Sequence, residues 1–225
     1  MLRIDLDRQL GQLQQEVISL AEIVDKATMR SVEALKQRDL TESQQLVQED
    51  DYIDQKRYEI EDRCVDLIAT QQPIAGDLRA IIALLHITVE LERIGDYAEG
   101  IAKISLLMGD EPPLKPLIDI PRMAEKATTM LRNSMDSLVS RDTIKANQVL
   151  KEDDEVDDLY AKVQTDLLEL VKADPENAEP ATYLMRVAHN VERVADRAMN
   201  IVERALYQAT GELVSGSTQI EPIAE

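Results

Sequence analysis

Two segments a hundred residues apart, Glu92-Arg93-Ile94-Gly95-Asp96 and Glu192-Arg193-Val194-Ala195-Asp196, each set a glutamate and an aspartate four residues apart. On an α-helix that spacing brings both carboxylates to one face, where they can serve as paired oxygen ligands. Each pair has a companion: Asp50 with Asp54 precedes the first segment, and Asp153 with Asp157 precedes the second by nearly the same interval. All-oxygen ligation suits hard or borderline cations. Magnesium, manganese, calcium and iron are the expected occupants and zinc is less well matched; several carboxylates can also bridge more than one ion. His189, three residues before Glu192, could join the second set, although Val89 holds the equivalent place in the first. Glu99 is a further candidate ligand. His86 reads as structural, and so does Cys64, which shares a helix face with Ile60, Leu67 and Ile68.

A chain with 44 acidic residues in 225 contains such pairs by chance. Asp62 with Asp66 and Asp154 with Asp158 read as solvated faces, and position separates the four named pairs from these. Asp50 lies between Leu46 and Ile53, and Asp153 between Val149 and Val156, at places where a helical seam would carry an apolar residue. Glu92 continues the series Leu78, Leu85, and Glu192 stands between Met185 and Met199. Bare carboxylates in a helix interface repel one another and cost several kcal/mol each to desolvate, so they need protons, basic partners or a cation. Arg93 and Arg193 offer the competing explanation, an arginine that neutralises the acids without metal. Adjacent helix positions point about 100° apart, so a bond to the neighbouring glutamate is not expected, whereas one to another helix is open.

Six helices must position these groups. Leu6, Leu10, Leu13, Val17, Leu20 and Val24 alternate by three and four and define the first. Asp39, with Glu42 three residues on, caps a second helix carrying Leu46, Ile53, Ile60 and Leu67 and ending near Gln71, before Pro73. A third runs to about Met108, where Gly109, Pro112 and Pro113 break it. The pattern then repeats: Ala127, Leu131, Met135 and Leu138 mark helix four, Val149, Val156, Val163 and Leu170 helix five, and Met185, Glu192 and Met199 helix six. A shift of 103 superposes Arg38-Asp39 on Arg141-Asp142, and a shift of 100 superposes the two Glu-Arg segments. The fold class is therefore all-α, two tandem antiparallel three-helix bundles over residues 1–112 and 113–212 with a flexible tail from 213 to 225. In the first hairpin Asp50 and Asp96 are equidistant from Pro73, as are Asp54 and Glu92; in the second, Asp153 pairs with Asp196 and Asp157 with Glu192 about a point between Asp174 and Pro175. Each bundle should gather four carboxylates about 20 residues, or roughly 30 Å, from its loop.

Composition narrows the function. A net charge of −19 with no basic cluster opposes nucleic-acid binding and favours cations or basic protein surfaces as partners. Asp5 and Asp7 sit where a signal peptide would need a basic start and an apolar run, and no segment reaches the length needed to span a bilayer, so a cytoplasmic location is expected. Carboxylate-bridged di-iron enzymes use Glu-x-x-His, but the third place after Glu92 or Glu192 is Gly95 or Ala195. With no phosphate-cradling glycine loop and no nucleophile elbow either, the expectation is not an enzyme.

Across residues 1 to about 210 these features resemble the PhoU family, accessory regulators of the phosphate-specific ABC transporter. Its members carry tandem three-helix units with a Glu/Asp-x-x-x-Asp motif, matched here by Asp50 with Asp54, Glu92 with Asp96, Asp153 with Asp157 and Glu192 with Asp196. Glu92-Arg93-Ile94-Gly95-Asp96 followed by Ala98 and Ile101 is a specific match. The family's asparagine one turn after the motif aspartate is kept as Asn200, a further candidate ligand, whereas the first unit has Gly100. The resemblance implies a cytoplasmic protein that binds multinuclear metal clusters and self-associates, commonly as a homodimer. It also implies negative regulation of the phosphate-starvation response when phosphate is plentiful, by connecting the transporter's ATPase subunit to a sensor histidine kinase, with peripheral membrane association through partners open to it. The alternative from the residues alone is a metal-free acidic adaptor that binds basic surfaces.

Overall fold

The computed structural model describes residues 2–140 and 143–212, with the side chains of 2–4, 143–147, 150 and 151 excepted. The expected tail from 213 and the Arg141-Asp142 equivalence lie outside the described residues. Six long helices carry the chain: α1 Leu2–Gln37, α2 Leu40–Gln71, α3 Gly76–Met108, α4 Asp119–Ser140, α5 Thr143–Ala173 and α6 Ala178–Thr210. A single 3₁₀ turn, Pro175–Asn177, separates the last two.

The local signals act as their chemistry requires. Asp39 Oδ1 accepts a hydrogen bond from the Glu42 amide at 2.9 Å, which satisfies one free donor of the α2 start. Gln72 takes the left-handed conformation that ends α2, one residue before Pro73, and Gly109 and Gly211 end α3 and α6 at positive φ. On α1, Leu6, Leu13, Val17, Leu20 and Val24 are buried, and on α2 the seven-residue series Leu46, Ile53, Ile60 and Leu67 is buried together with Cys64. Burial pushes the Cys64 thiol up to about 11, which leaves it an inert core group. His86 is exposed, which corrects its reading as a structural residue.

The α3 stripe differs from its expected position. Leu78 is 37% exposed and Leu85 only partly buried, while Ile81, Leu84, Ile87, Leu91, Ile94, Ala98 and Ile101 are almost fully enclosed. The reason is that α3 packs against α1, α2 and α6 at once, so its wide apolar arc points at the shared core. The Leu78–Leu85–Glu92 series follows one flank, on the α2 side at Glu92. In α6 the same holds: Val187, Val191, Val194, Ala198 and Ile201 are enclosed, and Met185 and Met199 only flank the core.

The two three-helix units share one hydrophobic core, because α3 lies on α6 and α1 on α4. Both crossings run antiparallel about a local pseudo-twofold. Glu90 meets Asn200 where Gly100 meets Asn190, and Asp25 meets Arg132 where Met29 meets Thr128. Buried hydroxyls in this core return to carbonyls of their own helices, as Thr28 does to Val24 and Thr88 to Leu84, both at 2.8 Å, so they leave no unmet polar demand.

Candidate metal centres

The hairpin of α2 and α3 brings Asp54, Glu92 and Asp96 together: one carboxylate oxygen of each lies within 4.8 Å of the others. Asp54 and Glu92 are partly buried and Asp96 is exposed. This juxtaposition follows from the antiparallel register about Pro73. Asp50, one turn earlier on α2, stands outside the tight trio. Its Oδ1 lies 3.5 Å from where a Cβ on Gly95 would be, and it shares the wall of a cavity of about 290 Å³ with Glu99, Ile53 and Ala98. The missing Cβ of Gly95 matters for Ile53, two of whose carbons it would meet at 3.0 Å, whereas the Asp50 oxygen would be in ordinary contact.

Electrostatics in the first cluster are dominated by desolvation and like charge. Burial first, then Glu99, Asp96 and Asp54, push Asp50 up to about 7. Burial is also the leading cause of the upward shifts at Glu92 and Asp96, with Asp96 and Asp54 respectively as the next contributors. Two cations stand close. Arg57 Nη1 is 3.6 Å from Glu92 Oε1, but its Nε already donates to Glu61 at 3.0 Å; Lys103 Nζ is 2.5 Å from Glu99. Arg93 is exposed and forms no ion pair among the described residues.

The second cluster is built alike and neutralised differently. Asp153 and Asp157 on α5 approach Glu192 and Asp196 on α6 closely enough to repel: burial, then Asp157, Asp196 and Asp154, push Asp153 up to about 6. Asp157 and Glu192 are also shifted up, by burial first and then by Asp196. Among the described residues only the first cluster brings three such oxygens within 4.8 Å. In the second, the Arg193 guanidinium spans two acids. Its Nη2 donates to Glu192 Oε1 at 3.1 Å, its Nε lies 2.8 Å from Glu192 Oε2, and its Nη1 lies 2.6 Å from Asp196 Oδ2. The bond to the neighbouring glutamate, not expected from the 100° offset, therefore forms. The arginine stem is long enough to lie along the helix surface and bring the guanidinium back over position 192.

The Nε contact is close but out of line. Glu192 Oε2 and Arg193 Nε are both buried without a hydrogen-bond partner, and Glu192 is only 8% exposed. This oxygen is ion-paired with Arg193 without being hydrogen-bonded, and a buried carboxylate oxygen with a free lone pair fits a cation ligand. His189 Nδ1 lies 3.6 Å from the same oxygen, with its side chain half exposed. Asn200 is placed elsewhere: its Nδ2 donates to Glu90 Oε2 at 3.1 Å across the α3–α6 crossing, beside Arg197 Nη1 at the same distance. Asp62, Asp66, Asp154 and Asp158 are exposed, as solvated faces should be.

Sequence reasoning overlooked Arg57, Lys103 and the Glu90–Arg197 pair. Lys103 was legible as the i+4 partner of Glu99, and Arg57 lies three residues after Asp54 on one helix face. The Glu90–Arg197 pair depends on the α3–α6 crossing, for which no local signal exists.

Comparison with known proteins places this architecture in context. The model of the PhoU domain family matches twice, over residues 17–105 and 120–205. A phosphate-specific transport system accessory protein PhoU homolog of Aquifex aeolicus is 39% identical over 209 residues, covering 93% of this chain and 95% of that protein. A homolog of the same description from Clostridium acetobutylicum is 34% identical, covering 95% and 98%. The crystal structure of the phosphate transport system regulatory protein PhoU from Streptococcus pneumoniae superposes with a TM-score of 0.87 at 28% identity, covering 93% of this chain and 99% of that one.

Proposed function

The chain belongs to the PhoU family, and from that premise we propose that it is an accessory regulator of phosphate transport whose two acidic clusters hold metal ions. The observation that carries the metal reading is the convergence of Asp54, Glu92 and Asp96 from two helices within 4.8 Å, in surroundings that disfavour the charge of Glu92 and Asp96. Asp54 would hold the ion from α2 and Glu92 and Asp96 from α3, with Asp50 and Glu99 one turn away; Asp157, Glu192 and Asp196 would hold it in the second unit. Iron, manganese or magnesium suits this oxygen set, with zinc a weaker match. A bound ion supplies positive charge and open coordination positions to which phosphate or an acidic group of a partner can bind. The helices do the rest: they fix the carboxylates and set α2 against α3 and α5 against α6, with Glu192 buried and Glu92 partly buried.

In this reading the protein is regulatory rather than catalytic and acts in the cytoplasm as a homodimer. It restrains phosphate uptake and starvation signalling when phosphate is plentiful, by contacting the transporter's ATPase subunit and a sensor histidine kinase. None of the described helices is long and apolar enough to cross a membrane, which fits a protein that reaches the transporter through its partners. A second reading, the metal-free acidic adaptor, draws support from Arg193, which neutralises Glu192 and Asp196 from within the chain.

Phosphate uptake in phosphate-replete cells tests the functional reading. Cells carrying Glu92→Ala, Asp96→Ala, Glu192→Ala and Asp196→Ala together should take up phosphate faster than the parent, as should cells lacking the gene. Uptake unchanged in the gene deletion would overturn the regulatory role, and a rise in the deletion alone would favour the adaptor.

A further inference from the structure

The two acidic clusters, near copies in sequence, are unequal in their resident positive charge. In the first, Arg57 stands 3.6 Å from Glu92 with its Nε committed to Glu61, and Arg93 is turned to solvent. In the second, Arg193 lies across both motif carboxylates at 2.8 and 2.6 Å. The pseudo-twofold supplies a reason. Tyr97 of α3 is among the groups acting on the Arg193 guanidinium, whereas the residue equivalent to Tyr97 in the second unit is Arg197, held by Glu90 at 3.1 Å. Position 97 thus offers Arg193 a phenol, while its counterpart in the second unit is a guanidinium already paired with Glu90.

We propose that Arg193 is a built-in counter-ion that grades the two sites, so that the first cluster takes a divalent cation ahead of the second. The inference rests on the metal reading above and adds to it an order of loading. A cation entering the second cluster must first displace the guanidinium from Glu192 and Asp196, and it gains the buried, unbonded Glu192 Oε2 when it does. In the first cluster the guanidinium paired with the trio, Arg57, stands 3.6 Å from Glu92 alone and donates its Nε to Glu61, so less has to be displaced. The protein would then respond over two ranges of cation concentration instead of one. Arg193 is a tuning residue in this scheme and not a ligand.

Equilibrium dialysis of Mn²⁺ into the full chain, with each site isolated in turn, tests this. The chain carrying Glu192→Gln and Asp196→Asn reports the first site, and the chain carrying Glu92→Gln and Asp96→Asn the second. The first site should bind at least about tenfold more tightly, the ratio that one charge-assisted pair can impose. Adding Arg193→Gln to the second-site chain should recover most of that ratio, Arg193→Lys part of it because a lysine cannot fork between two carboxylates, and Arg93→Gln in the first-site chain almost none. Far-ultraviolet circular dichroism of each variant confirms that the helices are retained. Equal affinities, or a second site left unchanged or weakened by Arg193→Gln, would overturn the grading while leaving the metal reading intact. No Mn²⁺ bound by the unaltered chain would overturn both.

Discussion

Asp50 illustrates how a single side chain ties stability to solution conditions. Its folded carboxyl, pushed up to about 7 chiefly by burial, titrates far above the value of about 4 expected when unfolded. The folded state therefore holds this proton more tightly, so the stability it contributes is complete below the unfolded value and lost as pH rises through about 7. Asp153, at about 6, acts with the same sign. Metal-free protein should melt at progressively lower temperature from pH 5 to pH 8, and Asp50→Asn should flatten that slope. At pH 8 the variant should melt about 2–4 °C higher, the change expected of roughly 1 kcal/mol in a chain of this length. A slope identical to the parent's would mean that Asp50 does not carry the effect. Spacing together with seam position singled out the acidic pairs, and the hairpin register about Pro73 anticipated the meeting of Asp54 with Glu92, because four residues is nearly one helical turn. What escaped was the behaviour of long basic side chains. Arg193 doubles back on its neighbour and Arg57 divides itself between Glu61 and Glu92, choices made by stem length and competing partners that sequence position does not record.

Helix pairs raise a different question, how tightly backbones must approach. A Cβ on Gly95 would lie 3.0 Å from both Cγ2 and Cδ1 of Ile53, and Cγ2, being fixed at the β-branch, has little freedom to yield. Overpacking of about 1–3 kcal/mol then exceeds the gain of roughly 0.5–1 kcal/mol from replacing a helical glycine, so Gly95→Ala should lower stability in urea unfolding. At Gly100 the added Cβ would meet the Asn190 side chain, its rotatable Nδ2 at 2.7 Å and its Cγ at 3.7 Å. Gly100→Ala should be neutral or stabilising, and the opposite order would show that the α3–α6 crossing is the less forgiving contact. Glu90 gives the same crossing its polar lock. Removing it strands Arg197, whose Nε has no hydrogen bond, so Glu90→Ala should cost about 2 kcal/mol and Glu90→Gln markedly less. Within helices the sequence was a good guide: the stripes of α1 and α2 and the Asp39 cap all stand where periodicity put them. It misjudged α3, where the seven-residue series through Leu78 marks a flank. A helix buried on three sides has an apolar arc too broad for one series to locate its centre.

At the level of the whole molecule, two repeats close on one core about a pseudo-twofold and carry a net charge of −19. The six-helix, all-α architecture was legible from helix lengths, loop signals and the internal repeat, but the α3–α6 and α1–α4 packing that joins the repeats was not, since it depends on surfaces that each half presents to the other. So large a charge should make the metal-free protein sensitive to salt. Screening lengths fall from about 30 Å at 10 mM to about 10 Å at 100 mM, and the melting temperature should rise over that range. The rise should be smaller when Glu92, Asp96, Glu192 and Asp196 are all alanine, because four of the closest repulsions are then gone. Metal itself is the most direct issue. The elemental content of protein purified without an affinity tag, measured beside that same fourfold variant, should give stoichiometric iron, manganese, magnesium or zinc in the parent and none in the variant. Metal absent from both after reconstitution, or retained equally by both, would contradict the assignment of these carboxylates as the metal centres of the protein.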